Sequence, residues 1–287
     1  MSKPKPALLS WALLLLVAAG GAKIAQGQAA AQSGPVSPPT AADNRARVTE
    51  TIVDSSVPDD QRVDKMLNLY SPKVRALDLV IGKLKGDLRK HGSGAGSMGN
   101  FVTDGIRAQG SKKLGKSIFL AVTNSGGLRK NSIAEGDLRL RDIFELLPFD
   151  NALVAFDLTG AQVLDLLRIV VAQHDAQSGA RIKYRITSDK KPELESARLL
   201  IGGSEKTIDP DAIYSVISID YLIKVTGGDY TVLREARNIR PLGLTLRDAI
   251  TDYIKAETAA GQPITSTLDG RFVFDKAASL GIEEPQP

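Results

Sequence analysis

The 287-residue sequence contains no cysteine. That excludes disulfides, thiolate zinc sites, cysteine nucleophiles, iron–sulfur clusters and a lipid-modified N-terminal cysteine. Histidine is nearly missing too. His91 and His174 are the only two, so chemistry that needs a histidine cluster is excluded, and both read as surface or loop residues outside any ligand spacing. Aromatic residues make up 5%, so the places where they gather carry information. A large charge of one sign is also absent. Lys and Arg number 37 against 33 Asp and Glu. Setting aside Lys3, Lys5 and Lys23 leaves 34 basic residues and near balance. A protein that coats nucleic acid needs a basic excess on one face, so no nucleic-acid partner is expected.

What is present is apolar content. At 43% hydrophobic and 24% charged residues, the chain can bury one substantial core or two small ones. The N-terminus reads as an address. Lys3 and Lys5 precede an apolar run from Ala7 to Ala22, and small residues follow through Ala31, the pattern of a secretory signal peptide. The run falls short of the roughly 20 residues a spanning helix needs, so no stable membrane anchor is expected. Residues 32–47, with Pro35, Pro38 and Pro39, read as a tether. A single domain is expected over 48–282, in a protein exported to a periplasm or secreted.

Val63, Met66, Leu67, Tyr70, Val74, Leu77 and Ile81 follow helical spacing. Ser71–Pro72 within them reads as an N-cap and first-turn proline, so two helical pieces meeting at a bend are expected. Met98, Phe101, Val102, Gly105 and Ile106 make one apolar helix face, with Asn100, Asp104 and Arg107 on another. Residues 118–123 and 152–158 read as strands and 137–147 as a short helix between them. Thr159 and Gln162 form a capping box ahead of Val163, Leu166, Leu167, Val170 and Val171. Strand-like segments follow at 181–187, 195–202, 213–219 and 271–274, and a last helix starts at Thr245. Helices interleave in the first half and strands cluster in the second. The expected class is α+β with a mixed sheet and packed helices.

Three glycine-bearing loops could carry chemistry. HGSGAGSMGN at 91–100 runs into a helix and reads either as an anion cradle or as a plain flexible loop. In TNSGGLR at 123–129, Asn124 and Arg129 flank a sharp turn; Arg129 offers a planar fork for phosphate or carboxylate, or is a solvated surface group. TGGDY at 226–230 places Asp229 where it could hold a sugar diol or close an ordinary hairpin. In LPFDN at 147–151, Phe149 is either an exposed platform or a core ring.

Together, GNFVTDGIR, TNSGGLR, EGDLRLRDIFELLPFDNALVAFDLTGAQVLDLL, GGDY and GRFVF resemble, in order and spacing, the C-terminal domain of the 5′-nucleotidase / UDP-sugar hydrolase family, over residues 50–275 or so. The resemblance implies a substrate-specificity domain in which two aromatic rings sandwich a nucleobase. Phe149 and Asn151 match the family's LPF-x-N motif, and Asn124 and Arg129 its N-G-G-G-I-R loop. Asp229 matches the ribose acid, Tyr221 the second ring, and Arg107 the Arg that ends G-N-x-x-x-D-A-M-R and serves phosphate. Ser125 stands where the family usually has Gly, Tyr230 replaces a frequent Gly, and the stretch from Tyr221 to Gly227 is longer than usual by about two residues.

The family's catalytic half is an N-terminal metallophosphatase domain with two metals, which clamp both oxygens of phosphoryl transfer. No room for it is expected between the tether and this domain. No catalytic residue and no cofactor are therefore expected in this chain, and divalent metals only in a partner, an exported metallophosphatase encoded separately. Three readings follow: a nucleoside- or nucleotide-binding specificity module, a hydrolase acting unaided, and a structural domain that has lost its ligand. Retention of Phe149, Asn151, Asn124, Arg129 and Asp229 favours the first.

Overall fold

The structure is a computed structural model that describes residues 48–224, 230–279 and 282. The signal-peptide and tether expectations, and Asp229, lie outside those residues. The chain divides into two units, Met1–Pro58 and Asp59–Pro287. Of the first, residues 48–58 are exposed and carry one turn, closed by the Val57 N–H on the Asp54 carbonyl at 3.1 Å.

The second unit runs α1 (Gln61–Ala76), β1 (Val80–Leu84), β2 (Leu88–Arg89), α2 (Gly96–Leu114), β3 (Leu120–Thr123), β4 (Ser132–Ile133) and β5 (Gly136–Arg139). It continues with α3 (Leu140–Leu146), β6 (Ala152–Thr159), α4 (Gly160–Ala172), β7 (Ala176–Ser178), β8 (Ala180–Ile186), β9 (Pro192–Ile201) and β10 (Ser204–Thr207). It ends with β11 (Ile213–Ile219), α5 (Asp220–Lys224), β12 (Arg237–Thr245), α6 (Leu246–Ala259) and β13 (Phe272–Phe274). One sheet has the order β12-β6-β11-β3-β7 and a second β10-β9-β8-β13, beside two two-stranded ribbons. The parallel pairs are β11 with β3 and β13 with β8, and the other pairings in these two sheets are antiparallel. This is the expected α+β class with mixed sheets.

The larger sheet positions the site. β6 is almost wholly apolar and buried from Leu153 to Phe156, as a strand between two neighbours and beneath helices must be. α4 opens with the expected capping box: Thr159 Oγ1 accepts the Gln162 N–H at 3.3 Å and Gln162 Oε1 accepts the Thr159 N–H at 2.9 Å. The five apolar residues behind that box are all buried. α6 repeats the device with Thr245 and Asp248.

Several expectations need correction. α1 is one helix with Pro72 inside it, not two pieces. The carbonyl that Pro72 leaves without a donor belongs to Asn68, an exposed residue, so water can serve it. None of α1 is buried, and Val63, Met66, Leu67, Tyr70 and Val74 are exposed. Residues 137–147 are not one helix. β1 captures 136–139 as an antiparallel strand, and the Asp142 carboxylate accepts the Arg139 N–H at 2.9 Å, which starts α3 at Leu140. The 91–100 loop is packed rather than flexible, with Gly94 to Asn100 buried. Gly94 has φ +77°, and a Cβ there would lie 2.2 Å from the Phe272 ring; one on Gly99 would lie 1.9 Å from the Gly94 carbonyl oxygen. These glycines serve close packing.

Candidate functional site

Strand direction gathers the candidate residues. β3 and β11 are parallel and finish at the same end of the sheet; β6 and β7, antiparallel to them, start there. Asn124 follows β3, Tyr221 follows β11, and Phe149 and Asn151 precede β6. The Asp220 carboxylate, at the exit of β11, accepts the Ala152 N–H at the entry of β6 at 2.9 Å. That bond fixes Tyr221 and Asn151 on adjoining strand ends. Burial opposes the Asp220 charge, but Lys224 and the Ala152 N–H outweigh it and hold the carboxyl below its ordinary pKa.

Phe149 is 48% exposed and Tyr221 50%. Phe149 is thus not a core ring. The loop that carries it is clamped by Arg247, which stacks over the Phe144 ring at 4.2 Å, donates to the Leu147 carbonyl at 3.2 Å and pairs with Asp150. A ring on a rigidly held, half-exposed loop can receive a flat ligand without first being ordered.

The 124–129 turn is held from several sides. The Gly127 N–H bonds the Asn124 carbonyl and the Leu128 N–H the Ser125 carbonyl, both at 3.1 Å. The Arg129 N–H reaches the Leu146 carbonyl at 2.8 Å, which sets this turn beside the Phe149 loop. Lys90 donates to the Leu128 carbonyl at 2.9 Å. Burial lowers the Lys90 pKa, and the neighbouring Arg129 lowers it further. The Arg129 guanidinium is exposed, with one donor on the Gly126 carbonyl at 3.2 Å, so its fork remains accessible. Thr123 Oγ1 and Asn124 Oδ1 are buried without a hydrogen-bond partner.

Arg107 is not brought to this end. Its Nε donates to the Ile118 carbonyl at 2.9 Å, ahead of β3, at the opposite edge of the sheet. Its motif neighbours are structural there. Asn100 donates to the Thr267 carbonyl at 2.8 Å, and Asp104 takes a bidentate pair from Arg271 at 3.0 and 2.9 Å. His91 is exposed, and His174 sits in the turn after α4 with its Nδ1 3.2 Å from Ser93 Oγ. Among the described residues no group of three or more His, Cys, Asp or Glu could hold a metal ion, so a two-metal centre does not fit the donors present there. No helix among them is long and apolar enough to cross a membrane.

Sequence reasoning missed Asp220, Arg247 and Asp175, which hold the loops. Asp220 carried a faint signal, an acid directly after a buried apolar strand. Arg247 carried none, because its partners lie 97 to 103 positions away.

The sequence profile described as "5′-nucleotidase, C-terminal domain" matches residues 80–235. The chain belongs to this family. Among relatives of this 5′-nucleotidase C-terminal domain, a trifunctional nucleotide phosphoesterase of Bacillus subtilis is 28% identical over 222 residues, 74% of this chain and 14% of that protein. A 5′-nucleotidase of Vibrio cholerae is 29% identical over 178 residues, 62% of this chain and 30% of the relative. The crystal structure of a 5′-nucleotidase precursor from Thermus thermophilus superposes with a TM-score of 0.61 at 25% identity, covering 74% of this chain and 42% of that one. The chain therefore spans less than half the length of each of these three.

Proposed function

We propose that the chain is an exported nucleoside- or nucleotide-binding specificity module that acts with a separately encoded metallophosphatase. The observation that carries this reading is the pair of half-exposed rings, Phe149 and Tyr221, on adjoining strand ends. A base stacked against such rings gains about 1–3 kcal/mol per contact, and any base has a π-face to offer. Asn124 and Asn151, at the same end of the sheet, carry amides that both donate and accept, which suits a base edge. Arg129 supplies a fork for a phosphate. Asp229 is assigned the ribose hydroxyls. Relatives titled 5′-nucleotidase and nucleotide phosphoesterase support the ligand class. Divalent metals enter with the partner, which supplies the chemistry of phosphoryl transfer.

The test is a thermal-shift panel of nucleosides and nucleotides on the chain without its first 31 residues, with and without divalent metal. A ligand at 100 times its Kd adds about 2.7 kcal/mol of stability, which is readily seen. Stabilisation by ribonucleosides or their monophosphates, without metal and without turnover, is the expected result. Metal-dependent turnover by the purified chain alone would replace this reading with that of a complete hydrolase. Silence across the panel at millimolar concentration would leave a domain without a ligand.

A further inference from the structure

Asp175 lies between α4 and β7, and local helix physics puts it there. His174 has φ 54°, the left-handed conformation that ends helices. The Asp175 N–H returns to the Val170 carbonyl at 2.9 Å and the His174 N–H to the Val171 carbonyl at 3.2 Å, the double closure of a Schellman cap. The cap turns the chain sharply and delivers Asp175 to the ligand end of the sheet, 4% exposed. A buried carboxylate is unfavourable unless strong donors meet it. Two do. The Ser125 N–H donates to Oδ1 at 2.6 Å and the Tyr230 hydroxyl to Oδ2 at 2.5 Å. The first donor belongs to the turn that carries Asn124 and Arg129. The second belongs to the segment entering the short 3-10 turn Thr231–Glu235. Lys90 is close enough for its charge to be felt by the carboxylate. Tyr230 and Ser125 are also two of the three places where the sequence departs from its family pattern.

We infer that Asp175 is a positioning residue. Its buried carboxylate latches the 124–129 turn to the Tyr230 segment, so that Asn124 and Arg129 are presented in one arrangement before ligand arrives. This rests on the binding-module reading for its consequence, though not for its geometry. Preorganisation of this kind raises affinity by removing the cost of ordering a loop on binding.

Adenosine monophosphate titrated by calorimetry into the chain lacking residues 1–31 reads the consequence, and amide hydrogen exchange at Ser125 reads the latch itself. Tyr230→Phe keeps the ring and removes the donor. It is expected to weaken binding about fivefold or more and to speed Ser125 exchange at least tenfold, with the global unfolding midpoint little changed. Asp175→Ala is expected to match it, and the double variant to be no weaker than either single one, as for two ends of one interaction. Asp175→Asn retains an acceptor for Ser125 and a polar partner for the hydroxyl, and is expected to recover binding to within about threefold of the parent. Binding and exchange both unchanged in Tyr230→Phe would overturn the inference. If the parent binds no adenosine monophosphate, the binding-module reading fails, and Ser125 exchange alone then decides the latch: faster exchange in Tyr230→Phe upholds it, unchanged exchange overturns it.

Discussion

The two ends of the five-stranded sheet differ in what they leave exposed. At the edge where β3 begins, polar groups satisfy one another. Arg107 bonds the Ile118 carbonyl, Lys116 donates to Ser215 Oγ at 2.7 Å, and Asp157 accepts from Ser215 at 2.7 Å and from Asn238 at 2.9 Å. At the edge where β3 ends, two rings stand half exposed, the Arg129 fork is open, and Thr123 Oγ1 and Asn124 Oδ1 are buried without partners. Buried polar groups are normally paired within a fold. Polar groups are paired at the second end too, as Asp220 is with the Ala152 N–H and Asp175 with Ser125 and Tyr230, so what sets that end apart is its two half-exposed rings and these two unpaired oxygens. Variants should therefore split by end: loss of stability from one, loss of binding from the other.

The largest effect is expected beside the first end. Arg271 is buried, and its guanidinium is shared by Asp104, Asp269 and the Gln177 carbonyl. Burial opposes its charge, and the bonds to Asp269 and Asp104 outweigh that and hold it charged. Arg271→Ala leaves two carboxylates facing each other and a strand carbonyl without its donor. It should cost about 3 kcal/mol in urea unfolding, the low end for breaking a buried pair because the acids are partly exposed. Adenosine monophosphate affinity of the protein that stays folded should be unchanged. Affinity lost together with stability would show that the two ends are not separate.

Phe149→Ala reverses the pattern. With the ring already half in solvent, its removal should leave the unfolding midpoint nearly unchanged, whereas truncation of a core Phe costs about 3–5 kcal/mol. Nucleotide affinity should fall by about 5- to 150-fold, the equivalent of 1–3 kcal/mol of stacking. A variant that unfolds while binding as before would break the comparison at its central residue.

The fold was legible in the sequence where local signals and tertiary context agree. The Thr159 cap, the start of the last helix at Thr245, the apolar face of α4 and the strands at 152–158 and 213–219 each follow from local pattern and stand as expected. Local signals failed where a distant strand decides. Residues 137–139 join β1 although the segment they open, 137–147, reads as a helix, and the 91–100 loop is packed because Phe272, some 180 positions on, presses against Gly94. The site divides in the same way. Residues next to strand ends, such as Asn124, Asn151 and Tyr221, could be named from order and motif. Which end of the sheet a motif residue reaches could not, because that depends on strand direction: Arg107 belongs to a motif of the same family and sits at the far edge.

Acid titration should separate Asp157, at one end, from Asp175, at the other, by sign. Burial raises the Asp157 pKa, but the bonds from Asn238 and Ser215 and the Lys116 charge outweigh it, and its pKa is lowered. It therefore stabilises the fold above the ordinary carboxylate pKa of about 3.9, and that contribution is lost as pH falls below it. For Asp175, burial dominates over the Tyr230 and Ser125 bonds and raises the pKa. The folded state then binds the proton more tightly than the unfolded state, so its contribution to stability grows as pH falls toward about 4. Urea unfolding at several pH values should show the parent losing its advantage over Asp157→Asn below about pH 4. The same series should show the parent gaining on Asp175→Asn between neutrality and about pH 4. Parallel trends in the two variants would remove the electrostatic distinction between Asp157 and Asp175.

The smallest effect is expected at Arg107, and it sharpens the comparison most. β3 spans four residues, about 13 Å at roughly 3.3 Å per residue, so the Arg107 bond to Ile118 lies the length of that strand away from the Asn124 turn. Burial lowers the pKa of its guanidinium, with Arg271 adding to the effect and Asp104 opposing it. It is placed to close the start of β3, not to meet a phosphate beside Arg129. Arg107→Met keeps the apolar stem and removes the donor to the Ile118 carbonyl, which should cost about 1 kcal/mol of stability. Adenosine and adenosine monophosphate should bind within about twofold of the parent, because Arg107 makes its bond at the start of β3 and no contact at the Asn124 turn. Arg129→Met should instead weaken the monophosphate and spare the nucleoside. If Arg107→Met lowered monophosphate affinity tenfold while adenosine bound as before, the phosphate would reach the far edge, and the division of labour between the two ends of the sheet would be wrong.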